Sequence, residues 1–327
     1  MKHRPILAIA AAAFLSAGAV DATVAQEFEI RAATIGAPGG IQEVALKKLK
    51  EVAEAASNGR IGVTIYTGGA LGDQLANIES LQSGTLDIAG IETPITQVDP
   101  LMGIFSLPYI FRDRAHVDAV LYGEIGDEIR DRLAKHQVRA IGFYEGGFRQ
   151  VTNNVRPIVV PEDLKGIKMR TPESKLRIAI FNHYGADASP LPYPELYSAL
   201  QTGTFDGQEN PAVEVQASRF YEVQKYLSFT NHVYTVGFIL MSEQTFDKLP
   251  QDLQVVMVDA ARQGGAASVA FGEEADANIA ELARSKGMEV NEADVAAFVA
   301  ASKPIWDEET ANLGADAPGL ISRIETK

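Results

Sequence analysis

Between Phe28 and Ile65 the apolar residues change their period twice. Phe28 to Ile35 reads as a strand. Ile41, Val44, Ala45, Leu49, Val52, Ala53 and Ala56 then recur at three- and four-residue steps, the stripe of a helix buried on one face, and Asn58-Gly59 stops it. Ile61, Val63 and Ile65 alternate as a second strand ending at Gly68-Gly69. Strand, helix, strand in this order opens an open α/β sheet, whose ligands bind beyond the carboxyl ends of the strands. Leu86–Ile91, Ala140–Tyr144, Ile167–Arg170 and Val236–Met241 have the composition of further strands. From Pro250 to Ala283 Leu253, Val256, Met257, Ala260 and Ala261 share one stripe, which predicts a long helix with Gly264-Gly265 and Gly272 as places to bend. Val295, Phe298, Val299 and Trp306 predict more amphipathic helix near the C-terminus.

The pattern also repeats itself. Leu81-Gln82-Ser83-Gly84-Thr85-Leu86-Asp87 returns as Leu200-Gln201-Thr202-Gly203-Thr204-Phe205-Asp206, each time a helix end, a glycine suited to a left-handed turn, and a strand start. Such an echo 119 residues later implies a duplicated helix-strand unit, and therefore two lobes.

Composition narrows the setting. The 327 residues, 46% hydrophobic, can bury a substantial core. A formal net charge of -14 without any basic tract sets nucleic acid and anionic membranes aside as partners. Met1-Lys2-His3-Arg4 followed by the alanine-rich stretch from Pro5 to Val20 reads as a secretory leader cleaved after Thr23-Val24-Ala25, so that residues 1–25 are removed and the mature chain starts near Gln26. The absence of cysteine removes disulfides, thiol catalysis, thiolate metal sites and a lipidated N-terminal cysteine. The expected product is free in the periplasm.

Candidate chemistry is sparse apart from arginine. Gly36-Ala37-Pro38-Gly39-Gly40 lacks the glycine spacing of a dinucleotide loop. The histidines His3, His116, His136, His183 and His232 have no metal-ligand spacing, and no nucleophile elbow, Walker loop or calcium loop occurs, so neither a metal nor a cofactor is expected. Against the acidic background, Gly147-Phe148-Arg149 and Lys168-Met169-Arg170, followed by Gly207-Gln208-Glu209-Asn210, stand out. A guanidinium grips a carboxylate with a planar fork of donors and keeps its charge, which is chemistry for binding an anion.

These residues belong to a larger set. Gly147 to Asn153, Pro161 to Arg170, Glu195 to Gly203, Asp206 to Pro211 and Thr230-Asn231-His232, together with Gly69-Ala70-Leu71-Gly72 and Leu107-Pro108-Tyr109, resemble the substrate-binding proteins of tripartite ATP-independent periplasmic (TRAP) transporters, in the family named for dicarboxylate binding. The resemblance covers nearly the whole mature chain. It implies a two-lobed α/β periplasmic binding protein of type II-like form, with an open mixed sheet in each lobe, a ligand cleft between the lobes and a long helix spanning both. On this basis lobe I is expected at 26–146 plus 236–275 and lobe II at 147–235 plus 276–327. The resemblance further implies that Arg170 pairs with a ligand carboxylate, that Arg149 is a second arginine near the same group, and that Asn210 hydrogen-bonds it. Glu92 matches a position that accepts hydroxyl hydrogen bonds in sugar-acid binders, Gln74 and Glu173 are further polar contacts, and Tyr193 lends an aromatic wall. Sialic-acid binders carry an arginine three positions after the Glu92 equivalent, where this chain has Ile95. No aromatic cage of the ectoine type can be assembled from these positions.

The expectation is therefore a monomeric binding protein, not an enzyme, that captures a small organic acid and delivers it to TRAP integral-membrane subunits. A uronate or aldonate fits Arg170 plus Glu92 best. Dicarboxylates and keto acids are the alternatives within the family, and a secreted sugar-acid enzyme or a sensory receptor the alternatives outside it.

Overall fold

The computed structural model describes residues 26–327, so the leader expected at 1–25 lies outside the described residues. The chain runs β1 (Phe28–Ala33), α1 (Ile41–Ala56), β2 (Ile61–Tyr66), α2 (Gln74–Gln82) and β3 (Ile88–Ile91), then two short 3-10 turns, α3 (Arg114–Leu121), α4 (Glu124–Ala134) and the 16-residue β4 (Val138–Asn153). A second run follows: β5 (Lys168–Thr171), α5 (Lys175–His183), β6 (Asp187–Pro190), α6 (Leu196–Gln201), β7 (Gly207–Pro211) and α7 (Ala212–Ala217). The chain closes with β8 (Tyr226–Phe229), β9 (Tyr234–Ser242), α8 (Glu243–Lys248), α9 (Gln251–Ser285), β10 (Glu289–Glu292), α10 (Val295–Asn312) and α11 (Ala317–Glu325).

The strands lie in the order β2-β1-β3-β9-β4-β7-β5-β6, with β8 and β10 branching from β4. Pairing is parallel among β1, β2 and β3 and among β5, β6 and β7, and antiparallel where β9 and β4 join them. Both halves are thus mixed sheets, as the fold class anticipates. β4 is the shared strand: through Phe148 it pairs with β9, and from Arg149 it pairs with β7. The crossing falls at the first of the two singled-out arginines.

Three charged side chains pin this crossing. Arg114 of α3 grips Glu145 on β4, with Nε 2.8 Å from Oε2, and its Nη2 reaches Asp276 of α9 at 2.6 Å. The Glu145 carboxyl is pushed up by burial, against the pull of Arg114.

The long helix α9 forms as expected but runs unbroken over 35 residues, about 52 Å at 1.5 Å per residue. Its glycines serve close packing. A Cβ at Gly265 would lie 2.1 Å from the carbonyl oxygen of Phe143, so only glycine lets α9 sit this tightly on β4. Buried Leu253, Met257, Ala260 and Ala261 pack with Ile30, Leu46, Leu49, Ile88 and Ile239 in the first half, and Ile279 and Ala283 at its other end pack with Leu196, Leu200 and Phe220 in the second. Burying each such large aliphatic side chain contributes roughly 1.5 to 3 kcal/mol. The C-terminal helices cross the same boundary. α10 packs on α5, while α11 returns to α3 through His116 Nε2, 2.8 Å from the carbonyl oxygen of Ile324.

Candidate functional site

The carboxyl ends of β1 and β3 face those of β5 and β7 across a pocket. All seven residues singled out in the sequence line it: Gln74, Glu92, Arg149, Arg170, Glu173, Tyr193 and Asn210. Side chains from the first half, chiefly Gln42, Gln74 and Glu92, form one wall, and the arginines and Asn210 from the second half form the other.

Arg170 is the third residue of β5 and is 2% exposed. Its Nε and Nη2 donate to the carbonyl oxygen of Leu191 at 2.8 and 2.6 Å, which orients the guanidinium with its plane near the Tyr193 ring, 5.9 Å from Cζ to centroid. Of the five N–H groups of an arginine, those two are used. Among the described residues Nη1 has no partner and no carboxylate forms an ion pair with this side chain. Burial pushes its pKa down to about 10, against the more distant pull of Glu209. A buried, uncompensated cation with free donors on a pocket wall is an anion receptor.

Arg149 lies beside it but is held differently. Its Nε is hydrogen-bonded to Glu209 Oε2, its Nη2 donates to the Glu209 carbonyl at 2.5 Å, to Oε1 at 3.1 Å and to Asn210 Oδ1 at 2.9 Å, and Nη1 donates to Thr235 Oγ1 at 3.1 Å. Only one Nη1 N–H remains free by this count. The second arginine therefore reaches the pocket as part of an internal ion cluster. Glu209 is fully buried and also accepts from Arg177 Nη1 at 2.7 Å and lies 3.1 Å from His232 Nε2. Burial alone would raise the Glu209 carboxyl, but Arg149 and Arg177 overcome it and hold it well below the usual range. Burial keeps His232 below its ordinary value, which leaves it neutral, while Thr230 Oγ1 sits 2.8 Å from Nδ1. Two guanidiniums share one carboxylate, so the cluster carries one net positive charge, and Arg170 adds another cation beside it.

Asn210 lies within β7, not beyond its end, because pairing with Gln150 of β4 extends that strand to Pro211. Its Oδ1 is taken by Arg149 and its Nδ2 donates to Gln208 Oε1, which leaves one amide hydrogen for the pocket.

The opposite wall is a network of acceptors. Glu92 Oε1 accepts from Gln42 Nε2 at 2.9 Å and from Tyr144 Oη at 3.0 Å, whereas its Oε2 has no partner among the described residues. Gln42 is in turn fixed at the first turn of α1, where its Oε1 accepts from Gly36 N at 3.0 Å and from Thr34. Tyr144 reaches Glu92 because β9 carries glycine next to it: a Cβ at Gly237 would stand 2.3 Å from the Tyr144 ring. Gln74 Oε1 accepts from Glu92 N at 2.6 Å, leaving its amide donor to the pocket. Glu173 is raised by burial and by Asp73, which approaches from the other half, so two like charges meet at the rim. Ile95 is buried in the core next to this wall.

Three residues central to the geometry went unread in the sequence. Arg177 shares the α5 face of Ile180 and Phe181, and an arginine on an apolar stripe was the available signal. Gln42 sits on the buried face of α1 in the same way. Glu214 follows Pro211 in a short helix and carries no such mark, yet it lines the pocket with its Oε2 bound by Tyr193 Oη.

The family model for bacterial extracellular solute-binding proteins, family 7, matches residues 32–312. A solute-binding protein of Verminephrobacter eiseniae is 39% identical over 287 residues, covering 87% of this chain and 85% of that one. Among solved structures, the sugar acid binding protein of Advenella mimigardefordensis in complex with galactonate superposes with a TM-score of 0.87 at 32% identity, over 91% of this chain and 98% of that one. A TRAP periplasmic solute binding protein from Polaromonas sp. JS666 bound to D-erythronate gives the same TM-score at 30% identity, over 91% and 98% of the two chains.

Proposed function

The chain belongs to family 7 of the bacterial extracellular solute-binding proteins, and from that premise we propose that it captures a hydroxylated monocarboxylate, a uronate or an aldonate, for delivery to the membrane subunits of a TRAP transporter. It acts in the periplasm, and among the described residues no helix is long and apolar enough to cross a membrane. The observation that carries the ligand reading is Arg170, a buried cation with three unused N–H groups and no carboxylate partner among the described residues. It receives the ligand carboxylate as a forked pair, Asn210 adds its remaining amide hydrogen, and Glu92 Oε2 accepts from hydroxyl groups on the far side. The galactonate and D-erythronate carried by related proteins are acids of this kind.

On this reading the protein works as a monomer and converts nothing. One lobe is built on β1–β3 and the other on β5–β7, α11 returns to the first, and closure about β4 and β9 dries the cleft so that the charged hydrogen bonds strengthen. Micromolar affinity asks for about 8 kcal/mol net. A thermal-shift screen of uronates, aldonates, dicarboxylates and keto acids should give its largest stabilisation with hydroxylated monocarboxylates, since a bound ligand raises stability by mass action. For the best of them, calorimetry on Arg170→Lys should show a loss of roughly 2 kcal/mol or more, because an ammonium cannot form the fork. Unchanged affinity takes Arg170 out of the site, and a screen led by dicarboxylates overturns the ligand class.

A further inference from the structure

Glu214 stands where a surface residue would be expected and is 6% exposed. It begins four residues beyond Asn210, on the first turn of α7, and it faces the pocket beside Glu92 and Gln42. One oxygen, Oε2, takes the hydroxyl of Tyr193. The other, Oε1, is buried against the start of α1 and makes no hydrogen bond of ordinary geometry among the described residues, although the Ile41 backbone N–H lies close enough to favour the carboxylate. Gly40, at the start of α1, lies beside it: a Cβ there would be 3.4 Å from Oε1, an ordinary contact.

A purely structural role accounts poorly for this carboxyl. Tyr193 Oη already has Ser218 Oγ at 2.6 Å, so it needs no second partner. A buried carboxyl with an orphaned oxygen costs stability, and an apolar residue of the same length would remove that cost. Burial, with Glu92 adding to it, pushes the Glu214 carboxyl up to about 7, so both protonation states are accessible near neutrality. An orphaned acceptor of this kind is suited to a ligand donor.

We propose that Glu214 sets the ligand class: with Glu92 it gives the pocket a pair of carboxyl acceptors that welcome ligand hydroxyls and repel a second ligand carboxylate. This rests on the reading of the pocket as a monocarboxylate site. A hydroxyl facing Oε1 satisfies the orphan, whereas a carboxylate there meets two acidic side chains. The site thereby separates aldonates and uronates from dicarboxylates of similar length, a choice that Arg170 by itself cannot make.

The test compares D-galactonate, D-glucuronate and succinate by calorimetry on the wild type, Glu214→Gln and Glu214→Asp. Tyr193 keeps Ser218 in both variants, and Glu214→Asp, which keeps the acid but withdraws its oxygens, serves should the amide fold poorly. The expected result is that Glu214→Gln loses about tenfold or more in affinity for the better sugar acid while succinate is unchanged or gains, with Glu214→Asp losing sugar-acid affinity in the same sense. Equal effects on sugar acid and succinate, or none on either, overturn the role of Glu214 and leave the monocarboxylate reading intact if Arg170→Lys still weakens sugar-acid binding. A wild type that binds neither sugar acid overturns that reading and this inference with it.

Discussion

In the first half of the chain β2, β1 and β3 lie side by side in that order, and in the second half β6, β5 and β7 do the same. The joints match in detail. Gly84 and Gly203 both take φ of 72°, Thr85 N and Thr204 N bond back to Ser80 and Ala199 at 2.9 and 3.0 Å, and the next aspartate in each accepts from the first sheet partner, Asp87 from Arg31 N at 2.9 Å and Asp206 from Lys168 N at 3.0 Å. Counting from these anchors, Ala33 in the first half stands where Arg170 stands in the second, and Gly90 where Glu209 stands. One frame thus carries two opposite faces. The difference teaches that the backbone sets where strand ends meet, while a handful of substitutions at those ends decides which face holds cations and which holds acceptors.

The strongest way to break this comparison is to remove the carboxylate that the second half cannot do without. Glu209→Gln leaves Arg149 and Arg177 buried side by side without a counter-charge, and losing one partner of a buried pair costs about 3 to 5 kcal/mol. Urea unfolding should show that loss in the ligand-free protein. A change below about 1 kcal/mol would mean that the two arginines do not depend on Glu209.

Glu214 sharpens the comparison through pH. Its folded pKa, raised to about 7 from an ordinary 4.5, means that the folded protein holds this proton more tightly than the unfolded chain. Stability from this group is therefore fully present below pH 4.5 and lost as pH rises through about 7, by up to about 3 kcal/mol. Glu92, Arg149, Tyr144 and Tyr193 are the groups that act on it. Urea midpoints measured at pH 5 and pH 8 should fall further for the wild type than for Glu214→Gln, since the amide removes only this contribution. Parallel slopes would show that Glu214 keeps an ordinary pKa in the fold.

Much of this frame was legible because periodicity reports burial. The stripe from Ile41 to Ala56, the alternation after Ile61 and the apolar face of the long helix each mark a surface that must be covered. The repeated Leu-Gln-x-Gly-Thr-x-Asp segment exposed the duplication before any coordinates did, since its glycine and aspartate have geometric duties. The strands β6, β8 and β10 went unread because they take their form from neighbours. At the site, Arg170, Arg149, Asn210 and Glu92 were named from a resemblance, and the structure gathers them in one pocket. What sequence could not tell is that Arg149 is largely spent on Glu209. Such pairing joins positions 60 residues apart and leaves no local pattern.

The finest test of the two faces asks whether the acceptor wall reads hydroxyl pattern alone. In Glu92→Gln the amide oxygen must stay on Gln42 Nε2 and Tyr144 Oη, because both are donors, and this turns the new amine toward the pocket where Oε2 had been an acceptor. The change keeps shape and position and reverses one hydrogen-bond polarity. Calorimetry with galactonate and glucuronate should show their relative affinities shift by about 1 kcal/mol, while the dependence of binding on the carboxylate and on Arg170 persists. If every acid weakens by the same factor, Glu92 acts on the charge of the cleft as a whole, and the division of labour between the two halves fails at the residue where it should be cleanest.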